Sequence, residues 1–236
     1  IVKADTLLQK MTSDNDGLAA CTLDLPLGQY YVKELKAPAG FVSSDEVLNL
    51  DASYQGQDVK TVKLKTVKKN QPTTVEITKS DVTTGVELDG AKLTVLDKEG
   101  NVVDQWISVK DQQHVIKRLT VGEEYTLREE MAPYGYLKAT DVKFTLEDTA
   151  DIQKVEMKDD VTKVQISKTD ITGETEIPGA KLTILDKDDQ VVESWTSTEE
   201  AHYIEKLPIG KYTLREEQAP KGYLLTSDVS FEVKDT

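Results

Sequence analysis

This chain is assembled from copies of one segment, which constrains its fold more than any other feature, because each copy must bury a core of its own or share one with its neighbours. Val75-Glu76-Ile77-Thr78-Lys79-Ser80-Asp81 returns as Val164-Gln165-Ile166-Ser167-Lys168-Thr169-Asp170, and Gly90-Ala91-Lys92-Leu93-Thr94 returns as Gly179-Ala180-Lys181-Leu182-Thr183. Trp106 and Trp195 keep the same offset. Tyr125-Thr126-Leu127-Arg128-Glu129-Glu130 returns as Tyr212-Thr213-Leu214-Arg215-Glu216-Glu217 two residues early, so the loop between is shorter in the later copy. A more diverged copy opens the chain, where Leu25-Pro26-Leu27-Gly28 matches Leu207-Pro208-Ile209-Gly210 and Tyr30 to Glu34 matches Tyr212 to Glu216. Ala-Pro-x-Gly-aromatic closes each match, at Ala37 to Phe41, Ala132 to Tyr136 and Ala219 to Tyr223. The unit spans roughly 85–90 residues, which is domain-sized and far longer than a solenoid repeat.

The alignment divides the chain into modules at 1–70, 71–159 and 160–236. Met11-Thr12-Ser13 aligns with Trp195-Thr196-Ser197, so the first copy begins late, without its Lys-x-Asp segment. Phe231 to Thr236 matches Phe144 to Thr149, so the third stops before an equivalent of Ile152 to Asp159. One complete module between two incomplete ones is expected. Asp160-Val161-Thr162-Lys163 is too short for a floppy tether, which predicts a semi-rigid, rod-like array.

Apolar residues alternate with polar ones over short runs, at Val75/Ile77, Leu93/Val95, Tyr125/Leu127, Val142/Phe144/Leu146 and Val155/Met157, the pattern of half-buried strands. Turn-forming residues fall between them, at Asp97 to Asn101, Thr120 to Gly122 and Ala132 to Gly135. No stretch has the period of a substantial helix. Short strands at regular spacing predict an all-β chain of tandem antiparallel β-sandwiches.

Charge and composition narrow the function. Forty-three acids against 29 bases give a net charge of −14, which repels phosphate backbones and anionic lipid, so neither nucleic acid nor a membrane surface is an expected partner. No run reaches the ~20 apolar residues of a spanning helix, and Ile1 to Asp5 carries no signal-peptide pattern, so any export signal lies outside this sequence. Cys21, the single cysteine, cannot form an internal disulfide. With His114 and His202 the only histidines, no Cys/His metal cluster and no cofactor is expected.

Strand parity yields the candidate site. Side chains two apart share a face, and the apolar face is the core. Lys79 lies in line with Val75 and Ile77, Glu129 with Tyr125 and Leu127, and Asp159 with Val155 and Met157, so three ionisable groups point inward. Charged residues are rarely buried unless paired, which makes the coincidence informative. The third copy repeats two of the three, at Lys168 and Glu216.

Lys-x-Asp on the first strand, Glu ahead of Ala-Pro-x-Gly-Tyr and Met-x-Asp on the last strand resemble the Cna protein B-type (SpaA-like) domains of Gram-positive surface proteins and pilins. The resemblance implies a prealbumin-like or Ig-like sandwich. It also implies an intramolecular isopeptide bond between a first-strand lysine and a last-strand Asn or Asp, assisted by a glutamate. By position the lysine falls on Lys79, the glutamate on Glu129 and the acceptor on Asp159. Asp159 precedes Lys168 by the same spacing that separates Asn70 from Lys79, so Asn70 is a second acceptor position, assisted by Glu34, with its lysine upstream of Ile1. Lys168 and Glu216 are present in the third copy without an acceptor strand.

Desolvation disfavours charge, lowering an amine's pKa and raising a carboxyl's, so an inward lysine can serve as nucleophile and an inward acid as proton donor. Asp148, in line with Phe144 and Leu146, is a rival acceptor with a counterpart at Asp235. Glu129-Glu130 and Glu216-Glu217 cannot act as glycosidase pairs, because strand neighbours face opposite sides. Asp14-Asn15-Asp16-Gly17 reads as a hairpin turn rather than a calcium loop. His114 and His202 lack evident catalytic neighbours, Trp106 and Trp195 read as core aromatics, and Cys21 as a small apolar filler. The expected role is structural and not enzymatic: a stalk segment of an extracellular, cell-wall-anchored surface adhesin or pilus protein. Its partners would be other modules of the same protein. The alternative is an adhesive module binding a host or matrix molecule.

Overall fold

The computed structural model describes residues 3–235. They fall into two compact units, one of residues up to 37 together with 43–70, the other of 38–42 together with 71 onward. All regular structure among them is strand, and no helix is long and apolar enough to cross a membrane. The first unit carries β1 (Gly28–Lys33) and β2 (Val47–Ala52), an antiparallel pair with Tyr30 opposite Leu50.

In the second unit the middle repeat forms β3 (Thr74–Asp81), β4 (Lys92–Leu96), β5 (Val102–Ile107), β6 (His114–Lys117), β7 (Glu124–Met131), β8 (Val142–Thr145) and β9 (Gln153–Asp159). They make two sheets, ordered β6-β3-β9 and β5-β4-β7-β8. The alternation read from sequence is the cause: Val75, Ile77, Val155 and Met157 of one sheet pack on Leu93, Val95, Tyr125 and Leu127 of the other, all of them buried. Full burial of each such side chain contributes about 1.5–3 kcal/mol. This is the expected all-β sandwich, with one difference. The first and last strands, β3 and β9, lie side by side and run parallel, Ile77 opposite Val155 and Lys79 opposite Met157.

The third repeat forms β10 (Lys163–Ile166), β11 (Lys181–Leu185), β12 (Val191–Thr196), β13 (His202–Glu205), β14 (Gly210–Gln218) and β15 (Val229–Val233), in sheets β10-β13 and β12-β11-β14-β15. Its core holds Ile184, Ile204, Leu207, Tyr212 and Val233. β10 ends before Lys168, whereas β3 continues through Lys79 to Asp81. Pairing explains the difference. β6 covers β3 only from Thr74 to Ile77, and beyond that the continuous ladder on β3 is β9, with a single bridge from Ser80 to Glu87 on the other side. Among the described residues β10 has only β13 as partner.

A bulge recurs beside the repeated glutamates. The register of β4 on β7 shifts between Lys92 and Leu93, setting Glu129 opposite Leu93, and that of β11 on β14 shifts between Lys181 and Leu182, setting Glu216 opposite Leu182. Bulges re-aim side chains, and here each flanks an inward carboxylate.

Candidate functional site

The three inward groups of the middle repeat meet inside the sandwich. β3 supplies Lys79 and its parallel neighbour β9 supplies Asp159, while Glu129 comes across the core from β7. Lys79 Nζ lies 3.4 Å from Glu129 Oε1 and is in contact with Asp159 Oδ1. The side chains are 1% exposed for Lys79 and 0% for both acids. Glu129 Oε2 accepts the Ala139 N–H at 2.7 Å, which fixes the carboxyl group's orientation. Lys79 Nζ, Glu129 Oε1 and both Asp159 oxygens make no hydrogen bond outside the cluster, so these four atoms have only one another.

Burial sets the electrostatics. Desolvation pushes the Asp159 carboxyl up to about 7, against the pull of Lys79, and the nearby Glu129 adds to the rise. A neutral carboxylic acid beside a lysine amine is the pairing that amide formation requires, since a carboxylate resists nucleophilic attack. Beside Lys79 lies a cavity of about 10 Å³, lined among others by Glu87, Ser108, Trp106 and His114. That is room for about one water molecule.

The third repeat brings together its two matching residues. Lys168 Nζ lies 3.3 Å from Glu216 Oε1, the lysine side chain 14% exposed and the glutamate buried. Glu216 Oε2 accepts the Thr226 N–H at 2.8 Å and hydroxyl at 3.1 Å. Burial raises the Glu216 pKa, but bonds from the Thr226 N–H, Lys168 and the Thr226 hydroxyl outweigh it and hold the carboxyl below its usual range. In the first unit Asn70 Nδ2 donates to Glu34 Oε1 at 2.7 Å, and both residues are half-buried. The rival Asp148 is exposed beyond the end of β8, while Oδ1 of its counterpart Asp235 accepts the Lys138 N–H at 2.9 Å.

Several residues hold roles that sequence reasoning did not reach. His114 and His202 do have acidic neighbours, contrary to expectation. His114 Nε2 lies 2.8 Å from Asp104 Oδ2 and its ring stacks on Trp106 at 3.9 Å, and His202 repeats this with Glu193 at 2.7 Å and Trp195 at 4.2 Å. The tryptophans are half-buried at the core's edge rather than enclosed in it. A signal existed, since an acid stands two residues before each tryptophan and so shares its face. Asp81 is buried and ties the Lys-x-Asp segment to the Pro-x-Gly turn, accepting the Tyr136 hydroxyl at 3.0 Å and the Thr83 and Thr84 N–H groups at 2.8 Å. Those bonds, the Thr84 N–H foremost, hold its pKa below the usual range. Cys21 is exposed, its Sγ 3.1 Å from Gln9 Oε1, so it fills no apolar space. Asp14 to Gly17 is a turn in which Asp14 Oδ1 accepts the Asp16 and Leu18 N–H groups.

A family model described as a SpaA prealbumin-like fold domain matches the chain three times, over residues 1–68, 73–161 and 162–236. The chain belongs to that family. Among solved structures it is similar to the Bacillus anthracis TIE protein at 29% identity and a TM-score of 0.52, with 96% of this chain and 43% of that one covered. It thus spans less than half of that relative. A streptococcal ancillary pilin matches at 20% identity and a TM-score of 0.38, over 89% of this chain and 72% of that one. The shaft pilin SpaA of Lactobacillus rhamnosus GG matches at 14% and 0.35, over 70% and 94%. No curated protein matches the chain.

Proposed function

We propose that this chain is a stalk segment of a Gram-positive surface adhesin or pilus-type protein, built of three B-type modules and locked by an isopeptide bond that the middle module forms on itself. The observation that carries the reading is the dry cluster of Lys79, Glu129 and Asp159, whose facing polar atoms, Lys79 Nζ, Glu129 Oε1 and both Asp159 oxygens, have no hydrogen-bond partner outside it. Unreacted, such a cluster is costly, because removing charges from water costs several kcal/mol each and mutual attraction only partly repays it. Condensation relieves that cost.

The step balances as an amine plus a carboxylic acid giving an amide plus water. The Lys79 Nζ lone pair attacks Asp159 Cγ while Glu129, protonated, donates to the carboxyl oxygen. Glu129 then takes a proton from nitrogen, passes it to the departing hydroxyl, and recovers its own proton from the remaining hydroxyl as the carbonyl re-forms, ending as it began. The water leaves towards the cavity beside Lys79. Folding supplies the proximity, which contributes ~7–11 kcal/mol to reactions of this kind. The bond forms once per molecule, so the chain turns over no substrate. Joining the first strand to the last lets tension pass from one to the other through the amide, which suits a segment that bears load outside the cell.

Intact mass tests the proposal. The purified chain is expected about 18 Da light, the loss of one water. Lys79→Ala and Glu129→Ala each restore the full mass, and a wild-type chain of full mass overturns the reading. Peptide mapping that joins Lys79 to Asp148 would move the acceptor. Saturable binding of a matrix protein by a chain of full mass would favour the adhesive alternative.

A further inference from the structure

The Ala-Pro-x-Gly-aromatic turn occurs three times, and in two of them it is a plug seated in the segment that follows. Pro133 to Leu137 is held by β-type bonds on both sides: the Leu137 N–H donates to the Asp160 carbonyl at 2.9 Å and the Thr162 N–H donates to the Gly135 carbonyl at 3.0 Å. The Thr162 hydroxyl lies within bonding distance of both the Gly135 and Leu207 carbonyls. Lys206, with φ of +63°, carries its ammonium to 5.0 Å from the centre of the Tyr136 ring. Residues 38–42 repeat this pattern. The Val42 N–H donates to Gln71, Thr73 bridges Gly40 and Leu119, and Arg118, with φ of +67°, lies 5.2 Å over the Phe41 ring.

The glycine is what allows the turn to seat. A Cβ on Gly40 would stand 2.5 Å from the Arg118 carbonyl oxygen, and one on Gly135 would stand 2.6 Å from that of Lys206. Both atoms belong to backbone, which cannot swing aside. The third turn has the same shape. The Tyr223 N–H closes on the Pro220 carbonyl at 3.0 Å, against 3.1 Å in the two seated turns, and Gly222 has φ of +90°. Yet a Cβ on Gly222 would meet nothing within 4 Å, and Tyr223 is 49% exposed where Tyr136 is 8%. Leu224 is 90% exposed. The turn therefore keeps its form, and its glycine, without an occupant.

We propose that Pro220 to Leu224 is a docking plug for a further module of this same fold. That module presents a threonine on its entering strand and a lysine or arginine, in the left-handed region, immediately before the leucine of a Leu-x-x-Gly turn. A second copy of this chain does not meet the description. Its Thr73/Arg118 and Thr162/Lys206 sockets are already filled, and Asp24 stands where the cation should precede Leu25-Pro26-Leu27-Gly28. On seating, Tyr223 covers its ring with the incoming cation and Leu224 gains the backbone bond that Leu137 has.

The test extends the full chain by a copy of residues 150–236 placed after Thr236, which continues the repeat in phase and supplies equivalents of Thr162 and Lys206. Hydrogen exchange of the peptide 219–226 is expected to slow about tenfold or more relative to the 236-residue chain. Gly222→Ala, at a φ of +90° that strains an alanine with or without an occupant, is made in both chains, and it should bring exchange of the peptide in the extended chain to the level of the same variant without the appended module. Substituting Glu for the appended equivalent of Lys206 should reduce it without touching the plug. Equal exchange in the two chains overturns the proposal. So does protection in the 236-residue chain that rises with its concentration, which would make a second copy the occupant.

Discussion

The middle and third repeats place the same lysine and glutamate in the same relation, 3.4 Å apart at Lys79 and Glu129 and 3.3 Å at Lys168 and Glu216, yet the two sites differ electrostatically. Where β9 adds Asp159, its carboxyl is forced up to about 7 and the lysine is sealed from water. In the third repeat Glu216 is hydrogen-bonded and held below its usual range, and Lys168 retains some contact with solvent. The lysine–glutamate pair is by itself charge-balanced. A second acid on a closing strand turns it into a desolvated cluster with an unbalanced charge, and the same strand extends the lysine's own segment into a ladder.

The largest test of this contrast removes each lysine. Lys79→Met leaves two acids buried without a counter-ion and removes the proposed bond, so it should cost at least about 3–5 kcal/mol in denaturant unfolding. Lys168→Met should cost about 1–3 kcal/mol, because Glu216 keeps its bonds to Thr226. Equal losses would break the comparison.

Supplying the missing partner sharpens it. A synthetic peptide of residues 152–160 added to the chain should pair with β10 and condense with Lys168, giving an adduct about 18 Da below the summed masses. Glu216→Ala should prevent it. Failure of the wild-type chain to form any adduct would show that the third site needs more than a strand.

The pH dependence of the two sites has opposite sign. In Glu129→Gln, which cannot complete the bond, Asp159 keeps a folded pKa above its ordinary 3.8, because burial is the main cause. The native state then holds the extra proton, so stability is greatest at acid pH and falls as pH rises from about 4 through the raised folded pKa. Glu216 lies below its ordinary 4.5, so its contribution is present above that value and is lost as pH falls through the lower folded pKa. Unfolding followed separately through Trp106 and Trp195 would reveal the two slopes, and slopes of one sign would refute the assignment.

The smallest effect is a control. Arg128 clasps Asp141 and Arg215 clasps Asp228, each at 2.8 Å and each pair about 40% exposed. Exposed pairs contribute little, so Arg128→Ala and Arg215→Ala should leave both unfolding midpoints nearly unmoved. A large shift in one alone would mean that the repeats differ beyond their buried sites.

Much of this was legible beforehand because strand parity is a strict code. A period of two leaves no freedom about which face Lys79, Glu129 and Asp159 share with Val75, Tyr125 and Val155, and the repeat showed which of them the third copy retained. Parity says nothing about which strands are neighbours. The parallel seating of β9 on β3, the bulges that set Glu129 and Glu216, and the stacking of His114 on Trp106 from the opposite sheet all depend on partners distant in sequence.

The amino-acid order by itself thus determined the repeat, the strands, their buried faces and the identity of the inward ionisable groups, because these follow from local periodicity and the cost of exposing apolar surface. Tertiary structure alone decided that a lysine and two acids share one dry space, and that Gly40 and Gly135 are seated against backbone while Gly222 is open. Distance and desolvation are properties of packed neighbours, and a linear pattern does not contain them.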